Sequence, residues 1–204
     1  MPPSEDVRQL IWMLSNQESR SGFLAELNSN EYQALSLVNN LCLKLRSFWT
    51  YSHQNSSSMT SLTEAAVAGW LQKFYSTFLQ ELEERKSDTI TSFWHWLCVK
   101  RYSVDWLYNI LEPFLDGRAP SGIVYERVGQ LLNALFQAML ISHHLSMMAE
   151  IKRLTDDLFT ASVMPYLHII ENWMRTGNLQ DQYKEFFIVP RKSGSEYKIL
   201  DCPC

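Results

Sequence analysis

The chain has 204 residues, of which 46% are hydrophobic and 20% charged, and carries a formal charge of −4 at neutral pH. That length and apolar content allow one large domain or two small ones packed together, with a sizeable core. The acidic balance excludes the basic footprint expected of a nucleic-acid binder.

Residues 6–14 open the pattern, with Val7, Leu10, Ile11 and Leu14 spaced for a short helix. This apolar piece is too short for a membrane span, and the N-terminus has no secretory core, so no membrane contact is expected. The stretch 16–30 is polar and interrupted by Gly22. Leu35, Val38, Cys42, Leu45 and Trp49 then form a stripe on a second helix, which the loop-like run 52–60 should end.

Ser61-Leu62-Thr63-Glu64 fits a capping box, in which the Ser61 hydroxyl takes a free amide and Glu64 reaches back to the cap. The following helix should bury Val67, Leu71, Phe74, Phe78 and Leu82 and run out at 83–86, and the charged run 81–86 reads as a solvated helix face with local ion pairs. Asp88 can cap the next helix, carrying Phe93, Trp96, Leu97, Val104, Leu107 and Leu111, with Pro113 ending or kinking it. After the break at 116–122, Val124, Val128, Leu131, Leu135 and Met139 continue another stripe to about His143. Ile151, Leu154 and Leu158 begin the last long pattern. Pro165 lies inside it, and either kinks the helix or starts a new one with Ser162 as cap.

The end of that pattern is the most informative stretch. Phe159, Val163, Tyr166, Ile170 and Trp173 follow at spacings of four, three, four and three, which places them on one helix face. Arg175 suits a helix C-terminus and Gly177 a left-handed cap. A turn-like link, Asn178 to Asp181, leads to Phe186-Phe187-Ile188-Val189, a strand-forming run. Trp173 closes the stripe and is expected to be buried. Only seven glycines and seven prolines occur, clustered at breaks. The chain therefore reads as all-α, with any extended segment confined to one short piece near 186–189.

The order Pro165, Tyr166, Trp173, Gly177, Leu179, Asp181, Glu185, Phe186, Phe187, Ile188 resembles the end of the N-terminal half of the gamma-tubulin complex components, with Gln182 where that family usually has Pro. The resemblance extends over roughly 5–190 and is loose from Thr91 to Gly122. It implies stacked helical bundles over 1–190, whereas the end of the chain departs from the family pattern, and 191–204 reads as a short flexible tail. It also implies a structural scaffold that contributes side-by-side contacts between components in microtubule nucleation. The family's second half, which binds gamma-tubulin, is not seen after Val189, so a truncated form is expected that meets other components directly and gamma-tubulin only indirectly. The implied location is the cytoplasm and cytoskeleton, at a centrosome or other microtubule-organising centre.

No catalytic, cofactor or metal residue is expected. Nucleophile elbows, phosphate-cradling glycine loops and zinc helix motifs are all absent. His143-His144 are adjacent on a helix, about 100° apart, and read as one buried and one solvated histidine rather than a ligand pair. Asp156-Asp157 read as surface charge, and His95 and His168 as packed single histidines. Cys42 and Cys98 sit in apolar helical patterns, and Cys202 and Cys204 offer only two ligands at the extreme end. A reduced, cytosolic protein fits this usage. The alternative to the scaffold is a generic cytosolic helical adaptor offering a groove to a partner helix. An enzyme with an unrecognised site is a third.

Overall fold

Apolar spacing near 3.6 dictates the architecture. A computed structural model describes residues 5–16, 29–57, 61–87, 89–115, 123–145, 148–190 and 197–199. Among these, six α-helices run in order: α1 (Glu5–Asn16), α2 (Ser29–Ser57), α3 (Leu62–Glu84), α4 (Ile90–Leu115), α5 (Val124–His144) and α6 (Ala149–Thr176). A 3-10 turn at Arg85–Ser87 follows α3. The fold is all-α, as the periodicity requires.

The extended run near 186–189 is a strand, β1 (Ile188–Pro190), but it is accompanied by a second, β2 (Tyr197–Ile199). They pair antiparallel with Ile188 opposite Ile199 and Pro190 opposite Tyr197. The expectation of at most one extended segment is corrected accordingly. A lone strand leaves its amides and carbonyls unpaired, and Tyr197-Lys198-Ile199 supplies the missing partners. The loop-like segments 17–28 and 116–122 lie outside the described residues, as do Cys202 and Cys204.

The chain clusters into two compact units, Met1–Thr50 with Leu71–Asn109, and Tyr51–Trp70 with Ile110–Cys204. Helices α2, α3 and α4 contribute residues to both.

In the first unit, Ile11 and Leu14 of α1 are buried, as are Val38, Cys42 and Leu45 of α2. The predicted stripe fails at its end: Phe48 is fully buried and Trp49 is 38% exposed. Phe48 takes the interior because its ring meets Phe74 edge-on at 6.4 Å and Tyr108 at 6.2 Å. On α3, Leu71, Phe78 and Leu82 are buried, and Phe74 is half-buried. All of the expected α4 residues in this unit, Phe93, Trp96, Leu97, Val104 and Leu107, are buried. The Thr89 hydroxyl caps α4, accepting from the Ser92 amide at 3.3 Å. Asp88 itself lies outside the described residues.

Charge is handled locally in this unit. Lys44 pairs with Asp105 at 2.6 Å and lies over the Tyr108 ring. The run expected to be a solvated face is mixed. Lys86 pairs with Glu83 on the surface. Glu81 is instead drawn inward, holding Lys100 at 2.9 Å and accepting from the Trp96 indole at 3.3 Å.

In the second unit, α2 continues through the polar run to Ser57 rather than stopping near Ser52. Tyr51 and Ser52 are buried, so packing overrides the weak local helix propensity. Helices α5 and α6 pack as an antiparallel-style hairpin pair, burying Val128, Leu131 and Leu135 on one and Ile151, Leu154 and Leu158 on the other. Phe136 and Phe159 meet at 5.8 Å. Helix α6 is continuous through Pro165, so no new helix begins there. Ser162 is buried within it and donates to the Leu158 carbonyl at 2.6 Å instead of capping. The helix ends as predicted, with Arg175 in the last turn and Gly177 at φ 70°, its amide donating to Trp173 O at 2.8 Å.

Candidate functional site

Beyond Gly177 the chain folds back along α6, and one carboxylate organises the return. Asp181 accepts the Glu185 amide at 3.0 Å on Oδ1 and the Phe186 amide at 2.8 Å on Oδ2. Two consecutive amides on one ionised acceptor close the loop tightly, and Lys184 is held at φ 56° within it. The closure drives Phe186 inward. Its ring sits 5.1 Å from Tyr166, 6.1 Å from Trp173 and 4.7 Å from Phe187. Ile169 and Ile188 complete the buried centre, and Ile170 and Leu179 pack at its edge. Trp173 is half-buried here, not fully buried as expected, because it flanks Phe186 from the side of the cluster.

Glu185, next to Phe186, points at α3. It is only 1% exposed. Its carboxylate accepts from the Leu62 amide, from the Thr63 amide at 3.1 Å and from the Thr63 hydroxyl at 2.7 Å. These are the first amides of α3, where intrahelical partners are lacking and negative charge is favoured. The predicted capping box is therefore only half formed. Ser61 Oγ does accept the Glu64 amide at 3.1 Å. Glu64 does not reach back to the cap, a correction to the sequence reading. It is engaged by Arg127 of α5, whose guanidinium donates to both carboxylate oxygens, one at 2.8 Å. The bidentate hydrogen bond to Glu64 raises the Arg127 pKa against the opposing effect of burial.

Apolar side chains remain exposed on the outer face of α6. Met164, Leu167 and Met174 share that face with Glu171 and are turned away from the buried Leu158, Ser162 and Ile169. Met174 is 79% exposed. Around the α5–α6 corner, Ile141, Leu145 and Met148 are also exposed. In the first unit, Ile11, Trp12 and Arg8 of α1 line a hollow of about 450 Å³ with Glu83 and Lys86.

The chemically suggestive residues do not converge. His143 and His144 are both exposed, where one was expected to be buried, because both project from the last turn of α5. His143 Nε2 lies 2.9 and 3.0 Å from the Asp156 carboxylate oxygens. His95 and His168 are exposed rather than packed. Cys42 is buried, its thiol facing the Met13 carbonyl, and burial pushes its pKa up to about 11. Among the described residues no three His, Cys, Asp or Glu side chains are grouped to hold a metal ion. No described helix is long and apolar enough to cross a membrane.

The family model for the gamma tubulin complex component N-terminal region matches residues 16–202. The chain belongs to the gamma-tubulin complex component family. A comparison with curated proteins gives no match. For this gamma-tubulin complex component segment, the match starts later and ends later than the expected 5–190, leaving most of α1 outside it.

The family motif residues are gathered by the fold into one place. Tyr166, Trp173, Leu179, Phe186, Phe187 and Ile188 share the apolar cluster. Gly177 caps α6, Asp181 shapes the return loop, and Glu185 reaches α3. Pro165 stands apart, half-buried in mid-helix, and nothing in the contacts explains its place in the motif. Gln182, in the place of the usual proline, is exposed. Sequence reasoning missed that Leu62 and Thr63 receive Glu185 and that Arg127 receives Glu64. Both pairings join residues more than sixty positions apart, and no local spacing announces them.

Proposed function

We propose that this segment is a structural, non-catalytic part of the gamma-tubulin complex that contributes side-by-side contacts between components in microtubule nucleation. Other components are its direct partners, and gamma-tubulin is reached only through them. Its place is the cytoplasm and cytoskeleton, at a centrosome or other microtubule-organising centre. The observation that carries this reading is the family match over residues 16–202, whose motif residues serve packing and capping. The exposed Met164, Leu167 and Met174 of α6 add surplus apolar surface of the kind lateral association uses.

The test is sedimentation of the purified chain with purified components and, separately, with gamma-tubulin. Co-sedimentation with components but not with gamma-tubulin is expected, and Met164→Glu with Met174→Glu should weaken it while leaving the circular dichroism unchanged. Stoichiometric binding of gamma-tubulin alone contradicts the proposal. The hollow beside Trp12 favours a second reading, a helical adaptor that seats a partner helix. Under that reading Trp12→Glu, and not the α6 substitutions, abolishes binding.

A further inference from the structure

We infer that residues 181–188 are a releasable latch, in which the buried carboxylate of Glu185 couples the return loop to the first turn of α3 so that the two open as one.

Three features of the second unit lead to this. First, the free amides of Leu62 and Thr63 are held by a residue 122 and more positions away, not by a neighbour. The near candidate, Glu64, is committed to Arg127, and Ser61 serves the Glu64 amide, so the Leu62 and Thr63 amides are left to Glu185. Second, the loop places the carboxylate and the anchoring ring side by side. Asp181 pins the amides of Glu185 and Phe186 together, so neither leaves without straining the other. Third, beyond these polar contacts the segment is held by one small apolar cluster centred on Ile169, Phe186 and Ile188. When the latch is closed it covers Tyr166, Ile169 and Ile170 on α6. When it opens, that apolar face and the first turn of α3 are uncovered together. The inference stands independently of the lateral-contact proposal, because it concerns only contacts inside one unit.

Amide hydrogen exchange on the intact chain tests it. In the unmodified chain, the amides of Leu62, Thr63, Glu185 and Phe186 should exchange with one shared protection. Glu185→Gln preserves shape but removes the charge and one acceptor oxygen. It should speed exchange at all four sites by about tenfold or more, as loss of charge-assisted hydrogen bonds predicts. Leu131 and Leu135 in α5 should keep their rates. Acceleration limited to Leu62 and Thr63, with Glu185 and Phe186 unchanged, reduces Glu185 to a simple cap and overturns the coupling. If Glu185→Gln does not fold, Asp181→Asn serves, since Asp181 contributes no hydrogen bond to α3 among those formed by its carboxylate at Glu185 and Phe186. Faster exchange at Leu62 and Thr63 in that variant supports the latch, and unchanged rates there overturn it. His143→Ala, which removes an exposed contact to Asp156 away from both the return loop and the first turn of α3, is the control. It should leave all four amides unchanged, and acceleration there would show general loosening instead of a specific latch.

Discussion

Glu64 and Arg127 form a pair whose side chains are 10% and 23% exposed. Removing one partner strands the other charge with poor access to water. Arg127→Met should lower stability by about 2–4 kcal/mol, somewhat under the usual cost for a fully buried pair. Combining it with Glu64→Gln should recover much of that loss. A double-mutant cycle on urea midpoints measures both, and additive losses would show that the two groups act separately. Trp173 deserves a smaller figure than its position in the stripe suggested. It keeps one flank in solvent and one against Phe186 at 6.1 Å. Trp173→Ala should cost about 2–3 kcal/mol, below the range for fully buried aromatics. An unchanged midpoint would mean that the ring contributes nothing to the cluster.

The helices themselves were readable from spacing because a buried face must recur every 3.6 residues. Val38, Cys42 and Leu45 follow this rule, as do Val128, Leu131 and Leu135. The ends were harder. Gly177 was readable because a left-handed C-cap has a strong residue preference. The extension of α2 to Ser57 was not, since it depends on what buries Tyr51 and Ser52 and not on the polar residues that follow. The site divides in the same way: Tyr166, Phe186 and Ile188 announce a core by composition, whereas a glutamate that caps another helix looks like any surface glutamate. The Gly177 cap gives a clean test. A Cβ there meets nothing within 4 Å, so the cost of Gly177→Ala comes from the backbone alone. It should be about 1 kcal/mol, and Gly177→Asn should recover part of it. Equal midpoints for Gly and Ala would show that α6 ends in some other way in solution.

Stability against alkali is a property of the entire folded chain, and two buried groups set its direction. Burial raises Cys42 from 9.0 to about 11. Tyr51 is raised as well, first by burial and then by the nearby Glu64 charge. Both groups are neutral when protonated, so the folded chain keeps protons that the unfolded chain releases. The stabilisation from Cys42 is complete below pH 9.0 and is lost as pH rises towards about 11, with Tyr51 extending the loss higher. Denaturation midpoints taken at pH 7, 9 and 10.5 should fall only over the last interval, and Cys42→Ala should make that fall shallower. A midpoint that rises between pH 9 and 10.5 would contradict the assignment.

The separation of Thr63 from Glu185, 122 positions, has a consequence for the nascent chain. A ribosome adding 5–20 residues per second needs on the order of ten seconds to travel that distance. Throughout that interval α3 has emerged but its first amides await an acceptor that has not been made. The residues of the first unit, which end at Asn109, are all synthesised well before then. Vectorial synthesis therefore imposes an order: the first unit can assemble early, while the second stays open at the start of α3 until Glu185 leaves the exit tunnel. A chaperone or a fellow subunit that acts during translation meets this half-finished form, not the latched one.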